Sequence, residues 1–373
     1  MTTKLFSTLC LRDITVRNRI FVSPMCQYSA VDGIPNDWHF VHLGSRAVGG
    51  AGLIMVEATG VSPEGRISPG DLGIWNDIQT KELQKVAAFI EVNGAIPAIQ
   101  IAHAGRKAST AAPWKGGKPL KQEEGGWTPV APSAVPFSAN HATPKELAKT
   151  EIESLLKKFS DAAKRAMSAG FKVLELHMAH GYLMHEFLSP LTNHRNDEFG
   201  GIWENRTRFP LAVAKAVRAV WPSHLPVFTR ISATDWVEGG WDLEQSIRFC
   251  LALKEAGIDL IDCSTGGTVP DAKIPFAPGF QVPFSAAIRK EARIPTCTVG
   301  FITDPHQAEQ ILVCEQADAI ALGREMLRNP YWPLHAAKKL GEDIPWPSQY
   351  ERAKSKIIKE IFIWGKSKDF YHE

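Results

Sequence analysis

The stretch 172-KVLELHMAHGYLMHEFLSPLTNHRNDEFGG-201 decides the fold. It begins with a short apolar run, 173-VLEL-176, bounded by Lys172 and His177. A run of this kind without strict alternation reads as a parallel strand buried on both faces. Four histidines (His177, His180, His185 and His194) then fall within eighteen positions, with Tyr182 and Glu186 among them. Chemistry-bearing side chains crowded behind a buried strand are what an α/β barrel places at its active-site mouth. The reading makes His177 the last residue of this strand.

Working outward, seven similar runs appear: 19-RIFVSP-24, 52-GLIMVEAT-59, 96-IPAIQIA-102, 225-LPVFTRIS-232, 259-DLIDCS-264, 295-PTCTVG-300 and 318-DAIALG-323. The segments between them carry helical patterns. Thr150 is the expected N-cap of a helix over 151–169, with Ile152, Leu155, Leu156, Phe159, Ala163 and Met167 on one stripe and Gly170 ending it. Helices are also expected over 80–93 and 243–256, and from Asp304-Pro305, an aspartate cap with proline in the first turn. Eight strands alternating with helices predict a (β/α)8 TIM barrel, with a doubly wound sheet as the alternative. Residues 1–353 form this barrel, and 354–373 form a C-terminal extension with an apolar stripe of Ile357, Ile358, Ile361, Phe362 and Trp364. Residues 103–149 make too long a connection for a plain βα loop; leaving strand three, they overhang the mouth as a lid, or else are an inert insertion.

Composition excludes several classes. Hydrophobic residues make up 44% and charged residues 22%, as in an ordinary soluble globular protein, and the formal net charge is +2. Nothing in that balance predicts nucleic-acid or membrane binding. The six cysteines form no C-x-x-C pair, which argues against an iron–sulfur cluster or a disulfide framework and for a reducing, cytoplasmic location. No run of about 18 apolar residues predicts a transmembrane helix.

Three readings of the histidines compete. A zinc site would use His180 and His185 with a carboxylate, but the order here is H-x-x-x-x-H-E rather than H-E-x-x-H. A structural reading has histidines satisfying buried carbonyls, and is preferred for His185 and His194. A catalytic reading has His177 and His180 donating to one oxygen while Tyr182 delivers a proton, an arrangement suited to a carbonyl that gains negative charge.

The motif H-x-x-H-G-Y-L-x-H-E-F-L-S-P-x-x-N-x-R-x-D-E-F-G-G, together with 23-SPMCQYS-29, 100-QIAHAGRKA-108 and 348-SQYERA-353, resembles the old yellow enzymes and their thermophilic-like subgroup. The resemblance runs in order through residues 4–353. It implies an FMN-dependent ene-reductase, an NADPH dehydrogenase in which NADPH or NADH reduces the flavin and an enone, enal or imide then receives the hydride at its β-carbon. It implies that His177 and His180 hold the carbonyl oxygen and that Tyr182 protonates the α-carbon. Cys26 would tune the flavin, and Tyr28 would touch the substrate. Ser23, Pro24, Met25, Ala58, Gln100 and Arg230, with Cys26 and His177, match positions around the isoalloxazine. Gly300, Phe301, Gly323 and Arg324 match the phosphate side, where backbone N–H groups and a forked cation suit an anion. Arg352 matches an arginine that reaches a neighbouring subunit, which implies a homodimer or a dimer-based tetramer. Rival readings are an iron–sulfur relative, a flavin-free sugar-phosphate isomerase or lyase, and a barrel that stores or senses flavin.

Overall fold

The computed structural model describes residues 2–354. Eight parallel strands close into a barrel: β1 (Ile20–Val22), β2 (Leu53–Gly60), β3 (Ile96–Ala102), β4 (Val173–Met178), β5 (Val227–Ser232), β6 (Leu260–Ser264), β7 (Thr296–Thr298) and β8 (Ala319–Leu322). They pair in chain order, β8 against β1 and β5 against β6 included. Every expected strand is present, and the doubly wound alternative is excluded. Most strand ends shift by one or two residues from the expected runs, and one shift bears on the site. β4 runs to Met178, so His177 is its penultimate residue rather than its last.

The two-residue period of a strand explains how this barrel is layered. Phe21, Leu53, Met55, Ala98, Val173, Phe228, Leu260, Cys297, Ala319 and Ala321 share one apolar cluster inside it. Moving two residues toward the C-terminal end of four strands replaces these apolar side chains with polar ones. Ala98 gives way to Gln100, Val173 to Glu175 and then His177, Phe228 to Arg230, and Leu260 to Asp262. Cross-strand register sets Gln100 beside Glu175, and Arg230 between His177 and Asp262. Below, the apolar layer is sealed by an antiparallel hairpin, Leu9–Leu11 with Ile14–Val16, whose Leu9, Leu11 and Val16 join the interior cluster. The alternate strand residues face outward into a second, larger cluster beneath the helices.

The main helices are α1 (Asp37–Val48), α2 (Asp77–Val92), α3 (Lys149–Ser168), α4 (Arg208–Val220), α5 (Leu243–Glu255), α6 (Val282–Ala292), α7 (Pro305–Val313) and α8 (Trp332–Leu340). Asp304 caps α7 and Pro305 opens it, as expected. α2 begins earlier than the periodicity suggested, because Asn76 and Gln79 form a reciprocal capping box. Thr150 is not the cap of α3. That helix starts at Lys149, and the Glu151 carboxylate accepts the Ala148 N–H at 2.9 Å. Its buried stripe takes in Ala162 and Ala166, while Met167 is 40% exposed. Burying Phe159 on that stripe contributes roughly 1.5–3 kcal/mol.

The long connection between β3 and α3 holds three 3-10 turns and a two-strand pair, Val130–Ala131 with Lys145–Glu146. Both of its flanks are tied down. Arg106 donates to the Val135 and Pro136 carbonyls, and Arg195 donates to those of Pro132 and Leu147. The proposed apolar stripe of the C-terminal extension lies outside the described residues.

Candidate active site

β4 delivers His177, and the turn after it sets the other two reactive groups. His180 adopts a left-handed backbone with φ 60°, as do Tyr28 (49°) and Phe301 (50°), which stand at other edges of the same mouth. Such conformations cost about 1–3 kcal/mol each and persist where neighbours enforce them. Around His180 the enforcement is visible. Its N–H donates to Ser232 Oγ at 2.9 Å, and its carbonyl accepts from Lys107 Nζ at 2.8 Å. Lys107 also donates to the Gly267 carbonyl at 3.0 Å, so one half-buried ammonium joins the loops after β4 and β6. A Cβ at Gly267 would stand 2.7 Å from His180 Cα, which requires glycine there.

The three side chains converge. The His177 and His180 ring centroids are 5.1 Å apart, and those of His177 and Tyr182 are 4.9 Å apart. His177 Nδ1 accepts the Ala179 N–H at 3.2 Å, which assigns its proton to Nε2. His180 Nδ1 lies 3.4 Å from that Nε2, and His180 Nε2 lies 2.7 Å from Ser264 Oγ. Burial, then the Arg230 charge, lowers both imidazoles well below their ordinary range, so both are neutral donors at physiological pH. Burial, then Cys26, raises the Tyr182 phenol well above its ordinary value and keeps it protonated. Lys107 Nζ sits 5.0 Å from the Tyr182 ring centroid.

Beneath them lies a polar floor. Gln100 Nε2 donates to Glu175 Oε1 at 2.7 Å, and Arg230 Nε lies 3.5 Å from Asp262 Oδ2. Burial, then the Asp262 charge, pushes the Glu175 carboxyl well up; burial also raises Asp262. Gln100 and Arg230 were anticipated from the sequence, while Glu175 and Asp262 were not. The signal existed, since both fall in phase with inward-facing neighbours.

On one side of this floor, Ser23, Pro24, Met25 and Cys26 follow β1, and Ala58 lies near the end of β2. Burial, then Asp71 and Glu57, raises the Cys26 thiol well above its ordinary range. Burial likewise raises the Tyr28 phenol, whose ring meets Trp114 of the long connection edge-on at 5.7 Å.

On the other side opens a cavity of about 390 Å³, lined by Met25, Arg230, Gly300, Phe301, Gly323 and Arg324 among others. Its size is that of a cofactor or ligand site. Gly300 holds φ 130°, and the Arg324 guanidinium stacks on Phe301 at 4.4 Å from the ring centroid. Arg230 Nε, buried against the cavity, has no hydrogen-bond partner. A flat ring with polar edges and an anionic tail fits this set: an amide in Gln100, a fixed cation in Arg230, and close backbone approach at Gly300 and Gly323.

The remaining candidates separate from the site. His185 is fully buried, but it serves no carbonyl. Its Nδ1 accepts the Gly181 N–H at 2.9 Å and its Nε2 lies 3.0 Å from Asp235 Oδ1, so it braces the turn that carries Tyr182. His194 is exposed, and only its backbone N–H is engaged, with Ser133 Oγ at 2.9 Å. Arg352 stands exposed on the turn Ser348–Ala353, away from the other candidates. Burial works against ionisation of Asp235, yet His185, Ser189 and Thr268 outweigh it and hold the carboxyl down at about 2. Its folded value lies below the ordinary 3.8, so the stability it contributes is present above that value and is lost as pH falls toward 2. Unfolding free energy measured by denaturant titration is therefore expected to drop across that window, and Asp235→Asn is expected to flatten the drop.

A profile of the NADH:flavin oxidoreductase / NADH oxidase family matches residues 4–343. The chain is 48% identical over 354 residues to an NADPH dehydrogenase of Geobacillus thermodenitrificans (strain NG80-2), covering 94% of this chain and 99% of that one. Among solved structures, it resembles the old yellow enzyme homologue from Zymomonas mobilis at TM-score 0.74 and 27% identity, over 92% of this chain and 94% of that one. It also resembles a 2-naphthoyl-CoA reductase complexed with 2-naphthoyl-CoA, at TM-score 0.81 and 27% identity, over 91% of this chain. It spans about half of that longer protein, 52% of its chain. Among the described residues, no helix is long and apolar enough to cross a membrane.

Proposed function

The chain belongs to the NADH:flavin oxidoreductase / NADH oxidase family and is an oxidoreductase; from that premise we propose that it is an FMN-dependent ene-reductase acting on α,β-unsaturated carbonyl compounds. One observation carries the reading. Two neutral imidazoles and a protonated phenol meet beside a cavity of a flavin's size, joined to it through Ser264, which lines the cavity and lies 2.7 Å from His180 Nε2. Ser23, Pro24, Met25, Cys26, Ala58, Gln100, His177 and Arg230 would hold the ring, with Gly300, Phe301, Gly323 and Arg324 around the phosphate. Bound FMN supplies the hydride, taken from NADPH or NADH and passed to the β-carbon of the alkene.

The chain's own residues do the rest. An entering carbonyl oxygen replaces the His177–His180 contact. When the Ser264 hydroxyl turns its proton from Gln281 Oε1 to His180 Nε2, the His177 Nε2–H and His180 Nδ1–H both face that oxygen and stabilise the charge it gains. Tyr182 then gives its proton to the α-carbon. Arg230 counters negative charge at the ring's edge. Tyr28 and Trp114 border the substrate, and the 103–149 connection acts as a lid. Residues 1–353 work as one barrel unit, and Arg352 completes the neighbouring subunit's site in a homodimer or dimer-based tetramer. The six free cysteines favour a reducing, cytoplasmic setting.

The test begins with a visible spectrum of the purified protein loaded with FMN. NADPH under anaerobic conditions is expected to bleach the flavin band, and cyclohexenone to restore it. A protein that takes up no FMN would overturn the proposal. A band that bleaches and is restored by no activated alkene would instead favour flavin storage or sensing.

A further inference from the structure

Beside the reactive cluster lies a second, much smaller cavity of about 10 Å³, lined by Ala58, Gly60, Arg66, Asp71, Ala102 and Tyr182 among others. That is about the room one water needs, provided polar partners surround it. Two are at hand. Asp71 is 2% exposed, and its Oδ2 accepts the N–H groups of Ile67 at 2.7 Å and Ser68 at 3.3 Å. Its Oδ1 is buried with no hydrogen-bond partner. Leaving such an atom unpaired carries the full desolvation penalty of that group. Tyr182, half-buried, lines the same cavity from its other side.

We propose that Asp71 is a proton-relay residue, acting through one water in this cavity to restore the Tyr182 phenol after each turnover. The inference rests on the reading of Tyr182 as the acid. The proton balance is simple. Tyr182 loses its proton to the α-carbon and becomes a phenolate. The Asp71 carboxylic acid passes its proton through the water to that phenolate and becomes a carboxylate. Bulk water then re-protonates Asp71 past the half-buried Arg66 and Ile67. No electrons move in these steps.

The electrostatics agree with the geometry. Burial, then the Glu57 carboxyl, pushes the Asp71 carboxyl up to about 8, against the Ile67 and Ser68 donors and the Arg66 charge. At neutral pH Asp71 therefore carries the proton it has to give. The other groups that face it are Cys26 and Tyr28 from the loop after β1, and Tyr182 from the loop after β4. Glu57 is itself backed by His39 of α1, at 3.5 Å.

Asp71→Asn is nearly isosteric and keeps an oxygen for the Ile67 and Ser68 donors. Wild type and variant, loaded with FMN and reduced by NADPH, would be mixed with cyclohexenone in a stopped-flow instrument. The first flavin re-oxidation is expected to keep its rate in the variant. The ultraviolet absorbance of a phenolate should then persist there, while in wild type it decays with the flavin signal. Steady-state kcat should fall more than about ten-fold, though by less than the roughly 10²–10⁴ of a direct acid. Wild-type kcat should also decline as pH rises through about 8, where Asp71 loses its proton, and that decline should vanish in the variant. A variant with no lingering phenolate and an unchanged pH profile would overturn the relay. So would a first turnover slowed as much as the steady state, which would mark Asp71 as a structural support. If Tyr182→Phe leaves alkene reduction untouched, the acid reading itself fails, whatever Asp71→Asn does.

Discussion

Tyr182→Phe is expected to slow alkene reduction by about 10²–10⁴, the contribution of one positioned acid. Flavin reduction by NADPH should keep its rate. The asymmetry follows from what the substitution removes. The hydroxyl goes, but the ring keeps its edge contact with His177 and its place beside Lys107. The fold and the cavity for the flavin are therefore left intact. The two half-reactions, followed separately by anaerobic stopped-flow, decide the matter. Equal slowing of both would mean that Tyr182 shapes the site rather than donating a proton. Since burial raises this phenol far above neutrality, its ionisation should leave no break in the profile across ordinary working pH.

His177→Ala carries the second large effect, a loss of about 10²–10³ in the alkene half-reaction, the worth of one oxyanion donor. His177→Asn retains an amide donor and should recover part of it. Neither imidazole should reveal itself as a titrating group. Burial and Arg230 lower both, so each stays neutral above its depressed value, and the oxygen-binding step should not change as pH crosses the ordinary 6.5. An alkene half-reaction that strengthens on the acid side of 6.5 would indicate an imidazolium donor and contradict the arrangement described.

The barrel was legible because its eight buried strands are short, apolar and bounded by helices with recognisable stops, such as Gly170 after α3 and the Asp304-Pro305 start of α7. The hairpin that seals its base was not. Its strands, Leu9–Leu11 and Ile14–Val16, are three residues each and too brief to show a period. His177, His180 and Tyr182 stood together in one stretch of sequence, and the structure keeps them together. Cys26, Tyr28, Gln100 and Arg324 entered through the resemblance, since nothing local separates them from packing or surface residues. Lys107 and Asp71 escaped notice for a different reason. Lys107 acts on carbonyls contributed by the loops after β4 and β6, and Asp71 shares a cavity with a tyrosine more than a hundred positions away. Pairings that distant are products of barrel closure, and no window of sequence contains them.

The connection between β3 and α3 is anchored at its flanks by Arg106 and Arg195, whereas residues 113–118 and 121–125 at its tip are exposed. Trp114, at that tip, meets Tyr28, while His177, His180 and Tyr182 belong to β4 and the turn behind it. The enzyme is thus divided into a part that can drift and a part that cannot. On the proposed function, exchanging the tip is expected to change which molecules are admitted and how they are oriented, with the geometry of His177, His180 and Tyr182 left as it stands. If the proposed function holds, a lineage, or an engineer, can diversify the catalogue of accepted substrates by rewriting those eleven exposed positions on an unchanged catalytic chassis.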